Sequence, residues 1–363
     1  MNLLFLHQLH QSAGGRFSEL NGQEIVADYG DVAAEYAALR EAVGVLDFNF
    51  RGRICLTGSD RIRFLHGQIT NDVKRLSRGE GCYAAITTAK GKMEGDLNIF
   101  NLPDELLLDF EPGLTDRIFR RLEKFIVADD VQVVDAAPHY GLLTVQGPKA
   151  AQVAGMVGFL EQTTAREWSI AKVGDGSPGE IYVACVPRLA APGLDIFVPR
   201  QSLRAVADKL TAAAKSVGGR PCGWTAFELA RIESGVPRFG ADMDETNLPM
   251  ECIESRGVSF NKGCYIGQEV LNRIHAMGHV NKALRGLRLS DDLQTLPGKG
   301  AKLFHNGKEA GYITSAARSP ALNANIALGY VRREANQPGT DLVLQMPEES
   351  SAAKIVDLPF VKG

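Results

Sequence analysis

A short segment around Cys264 brings together side chains that are suited to chemistry. Lys262 places an ammonium two residues before the thiol of Cys264, and Gly263 and Gly267 stand on either side of it. A nearby cation favours the thiolate, which is the nucleophilic and metal-binding form of cysteine. Glycine lets a backbone turn tightly and approach a ligand closely. These residue types predict a reactive thiol in a tight turn.

A helix is expected to follow this turn, because apolar residues recur at every fourth position through Ile266, Val270 and Ile274. The helix would begin near Gly267 and place Cys264 just before its N-terminus. The helix dipole lowers the pKa of a thiol at that position. A competing interpretation is a turn that holds a small, inert, buried cysteine. Residue chemistry alone does not decide between the two.

Composition narrows the class of protein. The 363 residues are 45% hydrophobic and 23% charged, which is typical of a soluble globular chain with more than one domain. A net charge of -3 gives no basic footprint for nucleic acid. No apolar stretch is long enough to span a bilayer. We therefore expect a cytoplasmic protein with no membrane partner and no direct contact with nucleic acid.

The cysteines form no metal-binding pattern. The chain has six, none of them in a CxxC pair: Cys55, Cys82, Cys185, Cys222, Cys252 and Cys264. Scattered cysteines in a large chain predict reduced thiols, and no metal site is expected.

Two stretches repeat the same order of elements. Residues 53–125 read as a strand, a short helix, three strands and a second helix, and residues 141–215 repeat that order. This pattern predicts two similar α+β lobes, each an antiparallel sheet with its helices on one face. Two neighbouring lobes offer a cleft for a ligand. We place the lobes at about 50–135 and 140–282.

The last part of the chain has a different pattern of predicted elements. Short strands with almost no helix, and a hairpin signal at Asn306-Gly307, predict a small β-barrel or sandwich over residues 283–363. Residues 1–282 then form the core of the protein. Between them, residues 235–259 have little periodicity and many turn formers, which is typical of a functional segment.

The segment Lys262-Gly263-Cys264-Tyr265-Ile266-Gly267-Gln268-Glu269, followed by Arg273, resembles the signature of the YgfZ proteins. These are folate-binding relatives of the glycine-cleavage T-protein, an aminomethyltransferase. Further matches to this superfamily occur at residues 65–73, 145–150, 230–237, 315–320 and 327–332. The resemblance implies a three-domain ring of the aminomethyltransferase type. Two ferredoxin-like α+β lobes would surround a folate cleft, with a small C-terminal β-barrel beside them.

The resemblance also implies site residues. Asp96 matches the essential aspartate of the T-protein, and Asp195 falls where the T-protein has a glutamate that contacts the pterin. Arg231 is expected to pair with the carboxylate tail of tetrahydrofolate, with a structural salt bridge as the alternative. Tyr265 is a candidate for stacking on the ligand. The alternative is that Tyr265 is a half-buried tyrosine with a structural role only. The remaining cofactor-binding candidates lie in the motif itself: Gly263, Gly267, Gln268 and Glu269.

The resemblance implies one function, and two alternative functions stay open. The implied function is that of a folate-dependent accessory protein for the assembly or repair of iron–sulfur enzymes, including cluster-containing tRNA-modifying enzymes. Its partners would be those enzymes or cluster-assembly proteins, and Cys264 with Lys262 would carry its chemistry. The rival is a tetrahydrofolate-dependent aminomethyltransferase. T-proteins carry Lys-x-Asp-Phe-x-Gly where this chain has Cys264 in place of the carboxylate, so no glycine-cleavage activity is expected. A third candidate is a direct RNA-binding module, but the net negative charge of the chain argues against it.

Overall fold

The N-terminal segment packs beside the second lobe. A computed structural model of the chain describes residues 1–159, 166–173, 179–347 and 350–362. Asp31 caps the second helix, because its Oδ1 accepts a hydrogen bond from the backbone N–H of Ala34 at 2.9 Å. Asn21 and Gly22, both at positive φ, turn the first hairpin. The elements are α1 (His7–Ser12), β1 (Arg16–Leu20), β2 (Gln23–Asp28), α2 (Val32–Glu41) and β3 (Gly44–Asp47).

The first lobe is a five-stranded antiparallel sheet in the order β5-β6-β7-β4-β8, covered by two helices. Phe64 and Leu65 of the first helix and Ile118 and Leu122 of the second pack on one face of this sheet. The elements are β4 (Gly52–Thr57), α3 (Arg61–His66), β5 (Gly81–Thr87), β6 (Met93–Asn101), β7 (Leu106–Phe110), α4 (Thr115–Glu123) and β8 (Gln132–Asp135).

The second lobe repeats this architecture and borrows one strand from the N-terminal segment. Its sheet has the order β10-β11-β12-β9-β3-β13, and β3 pairs antiparallel with β9. The predicted repeat of α+β lobes is therefore confirmed, with residues 44–47 belonging to the second sheet. The elements are β9 (Tyr140–Gln146), α5 (Ala150–Met156), β10 (Ile170–Val173), β11 (Ile181–Cys185), β12 (Gly193–Pro199), α6 (Leu203–Ser216) and β13 (Arg220–Pro221).

Three helices connect the lobes to a closed six-stranded barrel, as the C-terminal pattern predicts. The helices are α7 (Trp224–Glu233), α8 (Glu254–Gly257) and α9 (Gln268–Met277). Around the barrel the strands follow the order β14-β17-β16-β15-β18-β19. They are β14 (Lys282–Leu289), β15 (Lys302–His305), β16 (Lys308–Ser319), β17 (Ala324–Arg332), β18 (Asp341–Gln345) and β19 (Ser350–Val356).

Helix α7 holds the three units together. Phe227 on this helix packs edge-to-face on Phe48, with ring centroids 5.0 Å apart, in a core shared by both sheets. Glu233, at the C-terminal end of α7, is fully buried. Its carboxylate accepts hydrogen bonds from Tyr36 of α2, at 2.6 Å, and from Ser319 of the barrel. The space left between the lobes and α7 is the central cleft.

Within the described ranges, no helix is both long enough and apolar enough to cross a membrane.

Candidate functional site

The central cleft is bounded by both lobes, by the turn after α7 and by α8. It encloses about 710 Å³ of empty space, including its open mouth. Lobe one contributes residues from β5 and β6 and also Glu111, which directly follows β7; lobe two contributes Trp168 and the segment before β12. Of the predicted site residues, Asp96 and Arg231 line this cleft.

Asp96 lines the cleft, and one of its two carboxylate oxygens lacks a partner among the described residues. Its Oδ2 accepts a hydrogen bond from the hydroxyl of Tyr83 at 2.7 Å. Its Oδ1 is buried and has no hydrogen-bond partner among the described residues. Burial raises the pKa of Asp96 to about 6, and the negative charge of Glu111 contributes. A buried carboxylate oxygen without a partner is costly unless a ligand or a proton satisfies it.

An aromatic wall stands beside Asp96. The rings of Tyr83 and Trp168 are stacked, with centroids 6.2 Å apart and planes at 22°. The indole N–H of Trp168, from lobe two, donates to Asn98 Oδ1 of lobe one at 3.0 Å. Trp168 has a φ of +53°, a conformation that a bulky residue rarely adopts and that is common at functional sites. No local sequence pattern marks the role of Trp168.

Asp195 lies behind the cleft wall rather than on it. It is fully buried, and Arg188 Nε lies 3.0 Å from its Oδ1 and 2.9 Å from its Oδ2. Arg188 lines the cleft and also donates to Asp109 at 2.8 Å. Burial opposes ionisation of Asp109, but the charges of Arg51 and Arg188 hold its pKa well below the usual range. Asp195 therefore meets the cleft through Arg188, which the sequence reasoning did not single out.

The guanidinium of Arg231 is bound by side chains of the protein. Its guanidinium pairs with Glu228 at 3.0 Å and with Asp242, and it donates to the hydroxyl of Ser315 in the barrel at 2.8 Å. The side chain is 2% exposed. The charges of Asp242 and Glu228 outweigh burial and keep the pKa of Arg231 above its usual range. This geometry matches the structural alternative, a clamp between α7 and the barrel, rather than a free group for a ligand.

Lys262 anchors the motif around Cys264 to lobe one. Its ammonium donates to the backbone carbonyls of His66, Ile69 and Asn71 at 2.6, 2.6 and 2.8 Å. It also lies 4.7 Å from the ring centroid of Tyr265. Burial lowers the pKa of Lys262 to about 8, which leaves the ammonium as the main form at neutral pH. The expected activation of Cys264 by Lys262 stays a prediction, and the cage of three carbonyls is a role that sequence reasoning missed.

The turn at Gly267 docks on the end of β5. Gly267 has a φ of +91°, and a Cβ there would lie 2.6 Å from Thr87 Oγ1. Thr87 in turn donates to the carbonyl of Ile266 at 2.6 Å. Helix α9 then begins at Gln268, as the spacing of apolar residues predicts. Both the backbone conformation and the close approach require glycine at this position.

The other motif residues lie outside the cleft. Gln268 Oε1 accepts from the backbone N–H of Tyr265 at 3.1 Å. Tyr265 is buried, and its hydroxyl has no partner in the part of the chain that the structure describes. Burial raises the pKa of Tyr265 to about 12. Cys264, Gly263 and Glu269 are exposed, and none of the motif residues is among those that line the cleft. Their binding of a cofactor stays a prediction.

The loop after α3 connects the motif to the cleft. Thr70 Oγ1 donates to the carbonyl of Gly257 in α8 at 2.6 Å. Asn71, whose carbonyl accepts from Lys262, donates its side-chain amide to the carbonyls of Tyr83 and Arg256, at 2.8 and 3.3 Å. The motif therefore supports the strand that carries Tyr83 and the short helix that carries Arg256.

Comparison with known proteins decides the family. The GCVT N-terminal domain matches residues 6–262, and the glycine cleavage T-protein C-terminal barrel domain matches residues 282–362. The chain belongs to the glycine cleavage T-protein family. The matches are at the level of these two domains, so membership of the YgfZ branch stays a prediction.

Relatives along the whole chain carry the same family's name. Aminomethyltransferases of Geobacillus sp. and Bacillus subtilis are each 26% identical over 359 residues, covering 98% of this chain and 98% of theirs. The crystal structure of the glycine cleavage system aminomethyltransferase T from Bartonella henselae superposes with a TM-score of 0.90 at 23% identity, covering 99% of this chain and 98% of that one. The predicted fold, two α+β lobes and a barrel, is thus confirmed.

Proposed function

We propose that this protein binds a reduced folate in the central cleft and acts as a tetrahydrofolate-dependent enzyme of the aminomethyltransferase type. Its relatives are named aminomethyltransferases, and it matches them along its whole length. When bound, tetrahydrofolate supplies the nitrogen atoms that accept or release a one-carbon unit. The observation that carries the proposal is at Asp96, which lines the cleft and has a buried Oδ1 without a hydrogen-bond partner among the described residues.

Each cleft residue has a separate role in this proposal. Asp96 accepts an N–H of the ligand or holds a proton beside it, since its pKa of about 6 lies near neutral pH. Tyr83 fixes the orientation of the Asp96 carboxylate through its hydroxyl. The Tyr83–Trp168 wall offers aromatic surface to a flat ring. Asp195 contributes by holding Arg188, and Arg231 by fixing α7 against the barrel.

A second candidate is the accessory role for iron–sulfur enzymes that the motif implies. The observation in its favour is the exposure of Cys264, which leaves the thiol accessible to a partner protein and outside the cleft. In this role Cys264 would act on iron–sulfur enzymes or cluster-assembly proteins, while folate binding in the cleft is common to both candidates.

Two assays on one sample separate the candidates. The first is calorimetric titration with tetrahydrofolate, which we expect to show one site. The second measures folate-dependent release of ammonia from an aminomethylated lipoyl carrier. Turnover at rates typical of enzymes supports the aminomethyltransferase. Binding without turnover, together with failure of Cys264→Ser to restore iron–sulfur enzyme activity in cells, supports the accessory role. Absence of binding at millimolar folate contradicts both.

A further inference from the structure

The turn that carries Cys264 is fastened to the end of α3 at two points. Before the thiol, Lys262 donates to the carbonyl of His66 at 2.6 Å. After it, the backbone N–H of Ile266 donates to the carbonyl of Gly67 at 3.1 Å. The three residues between these points are therefore held against the end of the helix. Cys264 is the middle one of the three, and it is exposed with a free thiol.

The imidazole of His66 faces this turn. A Cβ on Gly263 would lie 3.4 Å from His66 Nε2, so Nε2 points at the residue directly before Cys264. His66 is 5% exposed, and among the described residues neither ring nitrogen makes a well-aligned hydrogen bond. A buried polar group without a partner is costly unless a neighbour or a ligand satisfies it. The thiol of the next residue is such a neighbour, in contact directly or through one water.

The charged groups around His66 keep its Nε2 ready to accept a proton. Asp72 Oδ1 lies 3.3 Å from Nδ1, which favours the ring proton on Nδ1 and leaves the lone pair of Nε2 toward the turn. Burial and then the ammonium of Lys262 lower the pKa of His66; Asp72 opposes this shift and Lys74 adds to it. The imidazole is therefore neutral at pH 7.

We propose that His66 accepts the proton of the Cys264 thiol when that thiol reacts, with Asp72 orienting the imidazole. In this step the S–H proton moves to Nε2. The sulfur electron pair forms a bond to an electrophilic carbon, whose leaving group departs with the electrons of the bond that breaks. The thiolate and the imidazolium carry opposite charges, so each stabilises the other. A nucleophile, a base and a group that orients the base form the usual arrangement for an activated thiol.

The inference does not depend on folate binding in the central cleft. It also gives Lys262 a positioning role, because its ammonium ties the turn that carries Cys264 to the residue that carries the imidazole.

The test is the rate at which iodoacetamide alkylates Cys264 in the full-length protein, followed site by site by mass spectrometry from pH 6 to 10. His66→Gln should lower the rate at pH 7 by roughly three- to tenfold. Above the usual thiol pKa of about 8.5 the thiol ionises without a base, so the rates of variant and wild type should converge. Asp72→Asn should lower the rate at pH 7 by a smaller factor. His139→Gln is the matched control and should react as the wild type does, because His139 is an exposed histidine just before β9.

Two results overturn the inference. One is an equal rate at pH 7 for the wild type and His66→Gln. The other is a loss that persists undiminished at pH 10, because a base contributes nothing once the thiol has ionised. The same samples report folding, since Cys82 is a buried cysteine of the same lobe and stays slow while the lobe is folded. If Cys82 becomes fast in His66→Gln, Asp72→Asn decides, because its side chain is half-buried; a wild-type rate for that variant then overturns the inference.

Discussion

The burial of Asp96 should be visible in the stability of the protein. Its folded pKa is raised to about 6, whereas the unfolded chain protonates it near 4. The native state binds more protons between these values, so this carboxylate lowers stability as pH rises from about 4 to 6. Asp96→Asn removes the titration and should stabilise the protein at pH 7, relative to pH 4, by roughly 2 kcal/mol. Denaturant unfolding at several pH values measures this.

Asp104→Asn is the control for that series, since Asp104 is an exposed aspartate at a turn of the same lobe. Its free energy of unfolding at pH 7 should lie within about 0.5 kcal/mol of the wild type, because the side chain is on the surface. A difference between Asp96→Asn and wild type that stays constant from pH 4 to 8 would show that Asp96 is not the perturbed carboxylate described here.

The cysteines should differ in reactivity because they differ in access and in pKa. Cys264 is exposed, whereas burial raises the pKa of Cys82 and of Cys252 to about 12 and raises those of the other three as well. Only thiolate reacts readily, so Cys264 should alkylate first near neutral pH. Mass spectrometry resolves the rate site by site. Faster labelling of any of the other five would refute this ranking.

Two roles of Lys262 can be distinguished by experiment: activation of the Cys264 thiol and anchoring of the motif on lobe one. Lys262→Met keeps the aliphatic stem and removes the donors to three carbonyls, so we expect it to destabilise the fold by about 2–4 kcal/mol. Denaturant unfolding and the alkylation rate of Cys264 are measured on the same variant. If the thiolate depends on Lys262, the rate falls in conditions where the variant remains folded. Unchanged stability would contradict the anchoring role.

At the level of elements, the start of α9 should depend on glycine more than its end does. Gly267 and Gly278 flank the helix with φ values of +91° and +74°, but a Cβ meets Thr87 and Thr88 only at Gly267. Gly267→Ala therefore adds a steric clash to the strain shared by both, and should cost about 1–3 kcal/mol more than Gly278→Ala. Equal melting curves for the two variants would show that the motif does not dock tightly on β5.

The sequence predicted those elements whose signals are local. Alternating strands and the turn at Asn306-Gly307 depend on neighbouring residues, and each lies where expected. The placement of residues 44–47 in the second sheet could not be predicted, because β3 pairs with residues about 100 positions away. The hairpin of β1 and β2 was missed among the mixed residues at the N-terminus.

The candidate site was predictable only where a resemblance supplied the position. Asp96 was found in this way and does line the cleft. Trp168, Arg188 and Arg256 were not, because each reaches the cleft through tertiary contacts that leave no local pattern. The motif around Cys264 was the most specific sequence match. Two of its residues, Lys262 and Gly267, hold the motif on lobe one, so part of the match reflects structure rather than chemistry.

Across the whole molecule, a chain of buried and half-buried ion pairs joins the units around the cleft. Asp195 of lobe two pairs with Arg188, and Arg188 with Asp109 of lobe one. The chain continues through further pairs to the barrel: Arg51, Glu111, Arg238, Glu228, Arg231, Asp242 and Ser315. Buried charges are costly unless each is paired, so the cleft is complete only when lobes, helix and barrel are assembled. This favours a preformed binding site.

Titration with tetrahydrofolate tests this account most directly. Calorimetry compares the wild type, Asp96→Asn and the surface control Asp104→Asn under identical conditions. The account predicts one site per chain in the wild type and the control, and an affinity lower by about tenfold or more in Asp96→Asn, because a charge-assisted hydrogen bond is lost. No binding by the wild type, or equal affinity in Asp96→Asn, would contradict the placement of a folate in this cleft.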